Sequence, residues 1–145
     1  MYRRKFRAIE RITFVCFSLL AICGACSLPN LESPECSQSR DSVKQFYSWY
    51  LGTEADERAK HPEVFKKFIS QSFSAGPGRG ETDPFLLTND LPKTFKVGKC
   101  EANGPDKVNL QLQVYWRTDA KTTQKDLHVE TVKVGESWQI SNVSN

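Results

Sequence analysis

The residues of this 145-residue chain that could carry out chemistry are few: five cysteines, two histidines, four tyrosines and a set of carboxylates. Thiols can take an acyl group, pair as disulfides or ligate a soft metal. Cys16, Cys23, Cys26, Cys36 and Cys100 stand with the distant His61 and His128 at separations that match no ligand pattern, so neither a metal nor a cofactor is expected. For acid–base work the bases on offer are Asp83, Asp90 and His128, and the donors are Tyr47, Tyr50 and Tyr115. No base and donor fall at a spacing that specifies a pair. The glycines of 74–80 (SAGPGRG) invite a phosphate-loop reading. With no strand expected before them and no Gly-Lys-Ser/Thr after them, the segment is read as a loop.

The N-terminus carries the most specific signal. The formal net charge is +3, but Arg3, Arg4, Lys5, Arg7 and Arg11 lie in the first 25 residues against a single acid, Glu10. Residues 26–145 are left with about as many acids as bases. No phosphate-neutralising surplus remains, so a nucleic-acid partner is not expected. Residues 12–25 (ITFVCFSLLAICGA) are an uncharged run. As a helix it would span about 21 Å, short for a transmembrane segment and suited to a signal-peptide core. It ends in Gly24 and Ala25, directly before Cys26. This segment resembles a bacterial lipoprotein signal. The resemblance implies cleavage after Ala25 and a diacylglyceryl group on the Cys26 thiol. Each buried methylene contributes about 0.8 kcal/mol, so two or three acyl chains would anchor the chain in a membrane. Ser27, rather than Asp, follows the cysteine, which by the same resemblance implies the periplasmic face of the outer membrane. The alternatives are an ordinary secretory signal ending at Ala25 and an uncleaved short anchor.

On the lipoprotein reading Cys16 and Cys23 leave with the signal and Cys26 is acylated. Cys36 and Cys100 remain, in a compartment that permits disulfides. A bridge between them would close a loop of about 65 residues and stabilise the domain by roughly 4 kcal/mol. The alternative is two separate buried thiols.

The domain organisation follows: a signal over 1–25, a lipidated cysteine and tether over 26–38, and an α+β domain over 39–145. The tether (SLPNLESPECS) is rich in Ser and Pro. The first helix is expected from about Ser39 to Leu51, because Val43, Phe46, Tyr47, Tyr50 and Leu51 recur at helical spacing. Ser39 or Asp41 would cap it and Gly52 would end it. A second helical stretch is expected from Thr53, capped by a Thr53–Asp56 box, and a third over 62–70 (PEVFKKFIS). Asp83 reads as the cap of a short apolar turn through Leu87. After Pro92 the period becomes two. Val108, Leu110, Leu112, Val114 and Trp116 alternate with Asn109, Gln111, Gln113, Tyr115 and Arg117 in the clearest strand of the chain. A further strand over 124–134 shifts phase between Leu127/Val129 and Val132/Val134, which predicts a bulge near Glu130–Thr131. Gly135-Glu136 is a tight turn, and Trp138, Ile140 and Val143 form the last strand. The class is α+β: helices packed on a curved antiparallel sheet of about four strands.

The pattern Val43-x-x-Phe46-Tyr47-x-Trp49-Tyr50-Leu51, then Asp83-Pro84-Phe85-Leu86, then Val132-x-Val134-Gly135-Glu136-x-Trp138-Gln139-Ile140 resembles an uncharacterised family of bacterial periplasmic proteins. That family belongs to the cystatin-like, nuclear transport factor two-like superfamily, and the resemblance covers about residues 38–143. It implies a bent sheet wrapped around one helix. The superfamily holds isomerases, dehydratases, ligand binders, secretion components and immunity proteins, so fold alone leaves function open.

Its enzymes use an Asp or His base with a Tyr or Asp donor. Here Tyr47 and Tyr50 lie on the apolar helix face and read as core. His128 lies between Leu127 and Val129 and therefore on the solvated face. No catalytic residue is assigned and the chain is not expected to be an enzyme. The expectation is a membrane-anchored protein-binding lipoprotein of the bacterial envelope, with Asn109, Gln111, Gln113, Tyr115 and Arg117 as the contact row. A specific case is an immunity protein that neutralises a toxin. The alternative is a small-ligand carrier, which needs an open cavity rather than one filled by Phe46, Trp49 and Trp116.

Overall fold

A computed structural model describes residues 32–75 and 82–145. Helix α1 runs over Pro34–Gly52, α2 over Ala55–Ala59 and α3 over Pro62–Phe68. Five strands complete the order: β1 Ile69–Ala75, β2 Thr94–Ala102, β3 Lys107–Arg117, β4 Thr122–Val134 and β5 Ser137–Ser144. The signal, Cys26 and the tether up to residue 31 lie outside the described residues. Among the described residues no helix is long and apolar enough to cross a membrane.

Helix α1 starts earlier than the expected Ser39. Ser33 is its cap, accepting the Cys36 N–H at 3.3 Å, and Pro34 occupies the first turn, where a missing N–H costs nothing. The tether therefore gives up residues 34–38 to the helix, and Cys36 sits inside the helix rather than ahead of it. Helix α2 begins at Ala55 without a side-chain cap, so the Thr53–Asp56 box is not made. Helix α3 stops at Phe68, two residues short of the expected end, because Ile69 is already extended and opens β1.

The sheet order is β1-β5-β4-β3-β2. Four strands form the expected antiparallel meander, and β1 adds a fifth, parallel to β5. A strand thus does precede the glycine-rich segment. The missing Gly-Lys-Ser/Thr remains the ground for rejecting a phosphate loop.

The register break falls where the sequence pointed, between Glu130 and Thr131 across the β4–β5 pair, but the extra residue is in β5. Thr131 pairs with Ile140 and Glu130 with Asn142, which leaves Ser141 unpaired. Strand β4 keeps its phase throughout: Leu127, Val129 and Thr131 are buried, and Val134 points outward and is exposed. The inward Thr131 is satisfied by a 2.6 Å hydrogen bond with Ser39 Oγ of α1. A second bulge, at Gly98–Lys99, shifts β2 against β3. Bulges of this kind bend a sheet, and here both fall where α1 crosses its inner face over β2, β3 and β5.

Val43, Phe46, Tyr47 and Tyr50 of α1 meet Val108, Leu110, Leu112, Val114, Leu127, Val129, Ile140 and Val143 of the sheet in one buried core. Phe46 is fully buried, with ring centroids of Tyr47, Tyr50 and Phe85 at 5.0–5.3 Å. The arrangement is α+β, with helices on one face of a bent sheet, as the sequence pattern implied.

Both free edges of the sheet are irregular. In β1, several residues bulge between the Ile69–Ile140 and Ser74–Asn142 pairs. On β2, Arg40 Nη1 donates to the carbonyls of Val97 and Gly98 at 3.0 and 2.6 Å, and Lys96 and Lys99 are exposed. Bulges, lysines and occupied carbonyls all oppose strand addition by another chain.

Candidate functional site

The groups named for acid–base chemistry are distributed over both faces. Asp83 and Tyr50 come together: the Tyr50 hydroxyl donates to Asp83 Oδ2 at 2.5 Å. The other carboxylate oxygen, Oδ1, accepts the N–H groups of Phe85 and Leu86 at 2.9 and 3.0 Å, as the cap reading expected. The Leu87 N–H closes the turn on the Asp83 carbonyl at 2.8 Å, with Leu87 at φ 53°. Tyr47 is fully buried and donates to the Phe85 carbonyl at 2.8 Å. The guanidinium of Arg58 lies 4.2 Å over the Tyr50 ring and bonds the carbonyls of Tyr50 and Thr53 at the end of α1. Two phenols and a carboxylate therefore fasten the Asp83–Leu87 turn to α1. Their hydrogen-bonding capacity is spent on the fold.

Burial pushes both phenols above the ordinary tyrosine value of 10.0, with the Asp83 charge adding to the shift. The neutral forms are favoured by folding. Their contribution is complete below the unfolded-state value and is lost as pH rises beyond it toward the folded values. Phenolate absorbance of Tyr47 and Tyr50 is expected to develop only together with alkaline loss of the far-ultraviolet dichroism. Titration of both phenols with the fold intact would contradict the clamp.

Asp90 and His128 join neither this group nor each other. Asp90 is exposed, and its carbonyl accepts the Trp116 indole N–H at 3.2 Å. His128 is exposed on the opposite face of the sheet, paired in register with Gln111. His61 directly precedes α3, and its imidazole is hydrogen-bonded to Glu57 and Glu63 rather than to the helix backbone.

That opposite face carries the row Asn109, Gln111, Gln113, Tyr115 and Arg117. Arg117 is exposed and the other four are half-buried by their cross-strand neighbours. The register sets Asn109 beside Glu130, Gln113 beside Asp126 and Tyr115 beside Gln124. Tyr115 Oη donates to Gln113 Oε1 at 3.0 Å, Gln113 Nε2 donates to Asp126 Oδ1 at 3.0 Å, and Gln124 Nε2 reaches the same oxygen at 2.9 Å. Lys107 pairs with Glu130 at 2.7 Å, and Ser141 at the β5 bulge donates to Glu130 Oε1 at 3.1 Å. Sequence alternation found the row on β3. It did not find Gln124, Asp126 and Glu130, which belong to β4 and enter through the register.

The third constellation is the disulfide. Cys36 and Cys100 are joined, with their Cα atoms 5.9 Å apart, as the cysteine count suggested. The bridge ties the first turn of α1 to β2 just past its bulge. Arg40, one turn along the helix, forms a two-pronged ion pair with Glu32, whose carboxyl is held below its usual value by that hydrogen bond. Glu32 lies beside the two sulfurs.

Two concavities among the described residues are open depressions. One, of about 930 Å³, lies between α3, β1 and β5, with Phe65, Ile69 and Val134 among its lining residues. Another, of about 520 Å³, lies between α1 and α3 over Trp49, Val64 and Phe68.

Comparison with solved structures agrees with the fold. A protein of unknown function from Bacteroides thetaiotaomicron superposes with a TM-score of 0.55 at 16% identity, over 76% of this chain and 91% of that one. An Ntf2-like protein involved in plasmid conjugation aligns over 78% of this chain and 40% of its own length, with a TM-score of 0.48 and 9% identity. The sequence matches no protein-family model and no curated protein.

Proposed function

We propose that the domain is a non-catalytic protein-binding module, held on the bacterial cell envelope by lipid on Cys26, and that it engages its partner through the outer face of β3 and β4. The observation that carries this reading is the hydrogen-bonded chain Tyr115–Gln113–Asp126–Gln124 on a face opposite the helices. Side chains already fixed by one another lose little freedom on binding, which lowers the entropic cost of association. At about 4.8 Å between strands and 3.3 Å per residue, the β2–β5 face offers on the order of 600 Å² of flat area, close to the ~800 Å² one partner contributes to a standard interface. The irregular edges favour face binding over strand addition. The commitment of Tyr47, Tyr50 and Asp83 to structure speaks against an active site in the core.

The finer reading is an immunity protein that neutralises a toxin arriving in the periplasm. Tethering would raise the local concentration of an inhibitor at the place of arrival. Deletion of the gene is then expected to sensitise cells to attack by toxin-producing siblings, and unaltered survival in such competition would remove this reading. Labelled palmitate is expected to enter the wild-type chain and not Cys26→Ser; labelling of the variant would refute the anchor.

A small-ligand carrier is the second reading, favoured by the depression lined by Phe65, Ile69 and the exposed Val134. It predicts lipid or metabolite co-purifying with the protein.

A further inference from the structure

We infer that Cys36, Cys100 and Glu32 form a redox-gated site for a thiophilic divalent cation of the zinc class, closed while the disulfide is intact and opened by reduction. The three ligand atoms, two Sγ and a carboxylate oxygen, lie within 4.8 Å of one another. A tetrahedral ion with bonds of about 2.3 Å to sulfur and about 2.0 Å to oxygen needs its ligands about 3.5–3.8 Å apart, which a small opening of the two sulfurs supplies. The backbone is already suited to this: the Cα atoms are 5.9 Å apart, and both cysteines sit on regular elements, α1 and β2.

Three features around the sulfurs favour the ligating state. Cys36 occupies the first turn of a 19-residue helix, where backbone N–H groups and the helix dipole stabilise a thiolate. Arg40 grips Glu32 through Nε, at 3.0 and 3.1 Å to the two oxygens, and anchors its own guanidinium on the carbonyls of Val97 and Gly98, three and two residues before Cys100. Arg40 is thus a positioning residue that orients a ligand from outside the coordination shell. The charges also balance: two thiolates and a carboxylate against one divalent ion and one guanidinium sum to zero, so the half-buried site holds no uncompensated charge. The three residues supply three ligands and leave the fourth position to water or to a partner's side chain.

Opening the site requires a dithiol reductant. The dithiol is oxidised to a disulfide, and the Cys36–Cys100 bond takes up the two electrons and two protons to give two thiols. Metal binding then displaces both protons. Cys100 is half-buried, which leaves a route for the attacking thiolate. The inference is independent of the outer-face reading.

The test uses the full chain in detergent with Cys16→Ser, Cys23→Ser and Cys26→Ser, so that only Cys36 and Cys100 remain, titrated with Co(II) before and after reduction. One Co(II) per reduced chain is expected, with the thiolate charge-transfer band and the intense visible bands of tetrahedral coordination, all displaced by Zn(II). The oxidised chain should show none of these. Glu32→Gln should weaken binding about tenfold or more with the helical dichroism unchanged, and Cys100→Ser should abolish the bands. The inference is overturned by a reduced, folded chain that shows no thiolate band, by Glu32→Gln binding as tightly as the parent, or by a chain that unfolds on reduction and is not restored by Zn(II).

Discussion

Cys100→Ser is expected to lower the unfolding free energy by roughly 4 kcal/mol, the chain-entropy value for a closed loop of about 65 residues. The loop runs from the start of α1, through all of α2, α3 and β1, to the end of β2. Without the bridge the unfolded chain regains that freedom, while in the folded state the N-terminal half of α1 stays tied to the sheet by hydrogen bonds of Gln38, Ser39, Arg40 and Ser42. Urea denaturation measures the effect. Reduction of the wild type should cost about as much as the substitution, and reduction of Cys100→Ser should cost nothing further. A loss below about 1 kcal/mol would mean that the bridge adds little to the hydrogen bonds and packing that hold the helix end.

Phe46→Ala is expected to be as damaging, at about 3–5 kcal/mol. Its ring is fully buried and meets aromatic rings from α1, from α3 and from the Asp83–Leu87 turn. Few neighbours can collapse into the space, because Phe85 is fixed by the Asp83 cap and Tyr50 by its bond to the same carboxylate. Phe46→Leu retains most of the buried area and should cost distinctly less. Equal losses for the two substitutions would contradict a closely packed aromatic centre.

Much of this fold is legible from periodicity, because burial on one face leaves a direct trace. The inward residues of β3 and the apolar face of α1 fall where their spacing sets them. Strand β1 is the instructive failure. Ile69 completes the helical spacing of Val64, Phe65 and Phe68, so the residues read as more helix. Their extended state is imposed by a parallel partner about 70 residues away, which no local pattern records. Thr131 shows a different limit. A hydroxyl counts as polar in an alternation pattern, so the eye moves to Val132 and Val134. In the folded chain Ser39 satisfies that hydroxyl, and threonine fills an inward position between β4 and α1. The start of α1 was written in Ser33-Pro34-Glu35, a capping residue followed by a first-turn proline, yet a Ser- and Pro-rich surrounding gives the same letters the look of a tether.

The candidate sites divide along the same line. The β3 row and the pair Cys36–Cys100 come from alternation and counting. The Tyr50–Asp83 clamp, the partnership of Gln113 with Asp126, and Glu32 beside the sulfurs depend on contacts between distant segments, whose sequence separations carry no chemical meaning.

The proposed role of the outer face of β3 and β4 is to bind a protein. Its most direct test is quantitative capture from envelope extracts, comparing the wild-type chain with Gln113→Arg/Tyr115→Ala, two substitutions that leave the buried face of β3 untouched. One partner is expected to be retained at near-stoichiometric amounts by the wild type and lost, or weakened at least about tenfold, by the variant. A partner held equally by both chains, or none held by either, would contradict it.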